Sequence, residues 1–214
     1  MSSVALIDYG MGNLHSVAKA IEHAASAGTR VTVTADPAEV ARADRVVFPG
    51  VGAIRDCIGG MQTLGLDEAV RRAAESRPLL AVCVGMQALM DFSEENDGTS
   101  CLGIIPGRVL AFESHMPAPV PGASLKIPHM GWNQVHHVSD HYMWRDIAQD
   151  SRFYFVHSYY VEPAGADVIA ASTAYPVPFT SAIARDNVFA VQFHPEKSQH
   201  DGLQLYANFL AWNI

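Results

Sequence analysis

Residues 78–87, PLLAVCVGMQ, constrain this chain more than any other stretch. Leu79, Leu80, Ala81 and Val82 make a short apolar run of the kind that forms a buried strand. From Val84 to Met90 the pattern changes to that of a helix, with Cys83 at the joint. A strand that passes directly into a helix must bend its backbone sharply. Small residues on either side, Ala81 and Gly85, allow the bend without clashes, and the bend holds its central residue in a strained conformation. Here the central side chain is a thiol. It would sit at the end of a helix dipole, which favours thiolate over thiol. The same turn aims the Val84 N–H at the place where an oxyanion would form. A lone cysteine is more often a buried structural residue, so the turn alone leaves both roles open.

The flanking pattern sets the architecture. Residues 4–8 are an apolar run ending in Asp8-Tyr9-Gly10-Met11-Gly12-Asn13, which reads as a buried parallel strand and a glycine loop. Leu14, Val17, Ala18 and Ile21 recur at helical spacing up to Gly28. A strand is expected over 31–34, then a short helix with Asp36 as N-cap and Pro37 at its first position. Residues 45–48 form a third strand that runs into PGVG at 49–52. Helices are expected over 53–62 and 66–76, ahead of the Cys83 turn. This alternation specifies an α/β fold with a parallel, doubly wound sheet. The second half changes character. Residues 116–122 are a proline-rich loop, and short β-like runs follow at 134–138, 153–157, 168–173, 180–184 and 188–193. They predict antiparallel additions, with Asp186-Asn187 as a hairpin turn. A closing helix is expected near 199–212. With no repeat, linker or low-complexity tract, residues 1–214 are read as a single domain.

Composition enters by exclusion. A net charge of −8 disfavours nucleic acid or an anionic membrane as the main partner. No apolar run reaches transmembrane length, and residues 1–10 lack the basic and long apolar parts of a signal peptide. Cys57, Cys83 and Cys101 are odd in number and lack CxxC spacing, which points to a reducing cytoplasm. No GxGxxG follows the first strand and no GxxxxGK occurs, so nucleotide binding is rejected and no cofactor is expected. His137 and His141 have metal-compatible spacing but no second ligand set, so no metal site is expected. PGVG reads equally as a tight turn or as mobile backbone whose amides point into a site at the sheet's carboxyl edge.

A thiol nucleophile needs a base, and the base needs an orienting group. His194 and Glu196 end the last apolar strand, separated by Pro195, which stiffens the pair and stops the ladder. A histidine there can take the Cys83 proton while Glu196 orients its ring. A solvated loop histidine beside an unrelated acid would show the same spacing.

Together these motifs resemble the class I, triad-type glutamine amidotransferases. The resemblance is carried by DYGMGNL at 8–14, PGVG at 49–52, CVGMQ at 83–87, PHMGWN at 128–133 and FHPEKS at 193–198. The cysteine turn and the HPE pair belong to the whole class. DYGMGN, PHMGWN and HPEKSQ in one chain point more narrowly, to glutaminase subunits serving histidine biosynthesis. The resemblance implies a flavodoxin-like, mostly parallel sheet and hydrolysis of glutamine by Cys83, His194 and Glu196. It implies an oxyanion hole from Val84 with Val51 or Gly52, and substrate contacts from Gln87, Glu95, Ser158 and Tyr159. It implies a heterodimer with a (β/α)8-barrel cyclase that takes the ammonia and makes imidazole glycerol phosphate and an aminoimidazole carboxamide ribotide. Met11, Asn13, Met130 and Trp132 would lie in loops near that partner. Two departures are Ala81, where the class usually has glycine, and Asn96-Asp97, where a glycine pair would be less surprising. Rival readings are a glutaminase of another pathway such as pyridoxal phosphate synthesis, a stand-alone thiol hydrolase, and a non-catalytic module that kept the fold. DYGMGN and PHMGWN weigh against the first, and intact Cys83, His194 and Glu196 against the last.

Overall fold

Four apolar runs build the first half of the sheet. They are β1 (Ser3–Ile7), β2 (Arg30–Thr34), β3 (Arg45–Phe48) and β4 (Leu79–Val82), ordered β2-β1-β3-β4 and all parallel. Every residue of β3 and β4 is buried, as strands covered on both faces require. The computed structural model describes residues 2–116 and 125–214, so most of the proline-rich stretch at 116–122 lies outside the described residues. The strand Val188–Val191 joins β4 in parallel and completes the order of a flavodoxin-like sheet. Beyond it, Pro178–Arg185, Tyr159–Pro163 and Gly107–Ala111 extend the sheet antiparallel. His129–Gln134 pairs with Arg152–His157 in a separate antiparallel ribbon.

The helices follow the sequence signals closely. α1 (Leu14–Ala24) is capped by Asn13, whose Oδ1 accepts the Ser16 N–H at 3.4 Å. α2 (Pro37–Arg42) opens on Asp36, which accepts the Ala38 N–H at 2.8 Å, with Pro37 in the first turn. α3 (Ile54–Leu64) and α4 (Leu66–Ser76) meet at Gly65, held at φ 68°. α1 packs on the closing helix Gln199–Ala211, and α2 and α3 pack on α4.

Three expectations shift. The helix after Cys83 is α5 (Val84–Ala88), which stops short of Met90. Residues 102–105 supply the reason: their N–H groups bond the carbonyls of Ala88, Leu89 and Met90 and draw the chain away. The strand expected over 188–193 leaves its ladder after Val191, because the His194 N–H bonds Tyr154 O in the ribbon at 2.9 Å. Met130 and Trp132 lie on the strand His129–Gln134 and not in a loop. Alternation puts both side chains outward, at 59% and 42% exposure, opposite the buried His129.

Candidate active site

Cys83 takes φ 55° and ψ −112°, a conformation that L residues adopt only under constraint. Two elements impose it. Its N–H is held by Val191 O at 2.8 Å, and its carbonyl accepts the Gln87 N–H at 3.2 Å to start α5. The small residues around the turn answer to close backbone approaches. A Cβ on Gly85 would stand 2.2 Å from Phe48 O, and one on Gly50 would stand 2.3 Å from Gly85 N. The first turn of α5 is therefore wedged between the end of β3 and the PGVG segment. Ala81 is fully buried in β4, across the ladder from Phe48 and Ala190.

The departure from the sheet after Val191 carries His194 and Glu196 beneath the same turn. His194 Nδ1 lies 2.9 Å from Glu196 Oε1, with both side chains 3% exposed, which rules out a solvated loop pair. Burial by itself pulls the imidazole pKa down. The charge of the Cys83 sulfur and its hydrogen bond, followed by Glu196, act in the opposite sense, and the pKa is pushed up to about 10. Glu196 Oε2 and the Tyr206 hydroxyl face each other in the core without a hydrogen bond of full geometry.

A cavity of about 440 Å³ opens over Cys83, and Val51, Gly52, Val84, Gln87, Glu95, Ser158, Tyr159 and His194 all line it. Glu95 is anchored by the Ile54 N–H at 2.8 Å, and burial raises its pKa. The turn after it holds Asn96 at φ 59° and Asp97 at φ 60°, the left-handed region in which glycine is also at home. The Tyr9 hydroxyl is buried near Val51 and makes no hydrogen bond of full geometry. Gly52, at φ 83°, lies under Met11: a Cβ there would stand 2.5 Å from Met11 Cε. Asn13 borders a smaller cleft with Gly50, Val51 and Lys197.

One residue that reaches the site was not singled out in the sequence, Gln192, and Gln87 holds it there. Gln87 Nε2 donates to Tyr159 O at 3.1 Å and to Gln192 Oε1 at 3.2 Å. Gln192 Nε2 donates to Cys83 Sγ at 3.7 Å. His157, on the cavity wall, bonds Tyr159 O through Nδ1 at 2.7 Å and His129 Nδ1 through Nε2 at 2.9 Å. Burial lowers both imidazole pKa values, to about 3 for His157 and about 4 for His129. The other candidate histidines are structural: His137 stacks on Trp144 with ring centres 4.1 Å apart, and His141 stacks on Phe189 at 4.9 Å.

Solved structures share this fold. A putative GMP synthase protein from Thermoplasma acidophilum superposes with a TM-score of 0.68 at 19% identity, covering 99% of this chain and 93% of that one. A second, a glutamine amidotransferase, gives 0.69 at 15% identity, covering 97% of each. The family model for glutamine amidotransferase class-I matches residues 5–212, and the chain belongs to that class. Within the class its kinship is narrower. It is 59% identical over 214 residues to imidazole glycerol phosphate synthase subunit HisH of Methylococcus capsulatus, covering 99% of this chain and 97% of that relative. It is 57% identical over 213 residues to the same subunit of Nitrosococcus oceani, covering 100% and 99%. The chain is therefore a member of the HisH family of imidazole glycerol phosphate synthase subunits.

Proposed function

We propose that the chain hydrolyses glutamine to glutamate and ammonia and passes the ammonia to a (β/α)8-barrel cyclase with which it forms a heterodimer. The name of its relatives supports a place in histidine biosynthesis and a partner within the synthase. The cyclase would use the ammonia to make imidazole glycerol phosphate and an aminoimidazole carboxamide ribotide. A cytoplasmic setting fits the free thiols of Cys57, Cys83 and Cys101. Among the described residues no helix is long and apolar enough to cross a membrane.

The placement of His194 between Cys83 and Glu196 carries this reading. His194 takes the proton of the Cys83 thiol, and the charge of the sulfur together with Glu196 favours the protonated imidazole. The sulfur attacks the side-chain amide carbon of glutamine, a C–S bond forms, and the carbonyl electrons move onto oxygen. The Val84 N–H at the start of α5 stabilises that oxyanion, with Val51 or Gly52 as the second donor. Loss of one such donor typically raises the barrier by about 3 kcal/mol. His194 gives its proton to the amide nitrogen, the C–N bond breaks, and ammonia leaves. Water then loses a proton to His194 as its oxygen attacks the glutamyl thioester. The C–S bond breaks and glutamate departs. Glu196 holds the ring in one orientation throughout. Gln87, Glu95, Ser158 and Tyr159 hold the polar ends of the substrate.

In the resting state the oxyanion hole would be half built, with the Val51 N–H turned away from Cys83. Rotation of the peptide between Gly50 and Val51 would complete it, and a partner docked over Met11, Asn13, Met130 and Trp132 would bias that rotation. The test is a steady-state glutaminase assay of the chain alone, with the cyclase, and with the cyclase and its ligand. Activation of about 100-fold or more is expected across the series. Full activity of the isolated chain contradicts the switch, and no activity in the liganded complex contradicts the glutaminase reading.

A further inference from the structure

Gln192 is fully buried directly behind the nucleophile. It is the first residue past the strand Val188–Val191, and its own N–H is tied to Ser181 O at 2.9 Å, which fixes its backbone. Its side chain does not line the cavity over Cys83. It meets the sulfur from the core side, where no substrate reaches.

The orientation of its amide follows from the neighbouring hydrogen bonds. Tyr159 O is an acceptor, so the atom of Gln87 that approaches it at 3.1 Å must be Nε2. The same nitrogen lies 3.2 Å from the Gln192 amide, which must answer with Oε1. The Gln192 Nε2 is then left facing Cys83 Sγ at 3.7 Å, within reach for a donor to sulfur. A second bond pins the start of this sequence, since His157 Nδ1 also donates to Tyr159 O at 2.7 Å. A flipped Gln192 would set its oxygen against the sulfur and its nitrogen against the Gln87 nitrogen, losing both bonds.

We infer that Gln192 is a further catalytic residue: its amide N–H stabilises and aims the Cys83 thiolate, with Gln87 holding the amide in place. The inference rests on Cys83 being the nucleophile. A hydrogen bond to a charged acceptor is stronger than one to a neutral acceptor, so this donor favours the anionic sulfur over the thiol. It complements His194, which contacts the same sulfur and carries the mobile proton. Gln192 has no proton to exchange and acts only on the charge and position of the sulfur.

Two substitutions separate this role from packing. Gln192→Met keeps the volume and removes the donor. Gln192→Glu keeps the length and the acceptor for Gln87 but faces the sulfur with a carboxylate. The first readout is the rate of iodoacetamide alkylation of Cys83 against pH, followed by mass spectrometry of its peptide in the purified chain. The second is glutaminase kinetics in the complex with the cyclase and its ligand. In each variant, alkylation at neutral pH and kcat should fall about 10- to 100-fold. The alkylation profile should move about one pH unit upward, with KM changed less than about threefold. Wild-type alkylation profiles and kcat in folded variants would overturn the inference. If the variants do not fold, the Gln192 side-chain amide resonances of the wild-type chain provide the test. They should shift when Cys83 is alkylated, and unchanged resonances would overturn the inference. A Cys83→Ala variant that keeps full glutaminase activity would instead overturn the underlying reading.

Discussion

His194 Nδ1 and Glu196 Oε1 are 2.9 Å apart in a site where each side chain is 3% exposed, and a single proline separates them in the chain. The short spacing keeps the acid from leaving the base, and burial strengthens the bond between them. In the proposed mechanism Glu196 acts on the orientation and charge of the imidazole, whereas His194 moves the proton. Glu196→Gln should therefore lower kcat about 100-fold, and His194→Ala about 10,000-fold or more. Glu196 also helps to hold the His194 pKa near 10, so its loss should shift the alkaline fall in activity to lower pH. Steady-state rates across pH check both points. Equal, negligible effects of the two substitutions would remove the pair from the mechanism.

Two glycines offer a contrast in stability and activity. A Cβ on Gly50 would stand 2.3 Å from Gly85 N, so Gly50→Ala must displace the first turn of α5 and with it Cys83. It should destabilise the fold by about 1–3 kcal/mol and abolish most glutaminase activity. Gly59 lies exposed within α3 with nothing near its missing Cβ. Gly59→Ala should stabilise by about 0.5–1 kcal/mol and leave activity unchanged. Denaturation midpoints and assays of both variants settle the comparison.

This contrast shows what the sequence could and could not convey. The β4–Cys83–α5 turn, the N-cap of α2, and the parallel first half were legible because each is written in neighbouring residues. The lack of room at Gly85 was legible only as a preference for a small residue, because Phe48 O is far away in the chain. Met130 and Trp132 were read as loop residues because Gly131 hides the alternation of their strand, which its pairing with Arg152–His157 enforces. Gln192 and Gln87 went unnoticed as a pair: uncharged amides at a separation of 105 positions leave no local pattern.

The buried histidines predict a pH dependence of stability. His129 and His157 have folded-state pKa values of about 4 and about 3, both below the ordinary value of about 6.5. Their neutral forms are favoured by folding, so the unfolded chain binds more protons as pH falls below about 6.5. Stability present above that pH is lost on the way down to their folded-state values, at up to about 1.4 kcal/mol per pH unit for each. His194 has a raised pKa, is protonated in both states below about 6.5, and adds no slope there; its contribution is lost as pH rises toward 10. Urea unfolding at pH 7 and pH 5 should differ by about 2–4 kcal/mol, with a smaller difference in His129→Gln. Equal stability at the two pH values would contradict neutral burial of the pair.

The central claim is that Cys83, strained at the joint of β4 and α5, is the nucleophile of a glutaminase. Its most direct test is the rate of glutamate release by the Cys83→Ala variant, bound to the cyclase and its ligand, against wild type. The variant should fold with an unchanged far-ultraviolet spectrum and lose activity by about 10,000-fold or more. Glutamate release within tenfold of wild type from the folded variant would contradict the account.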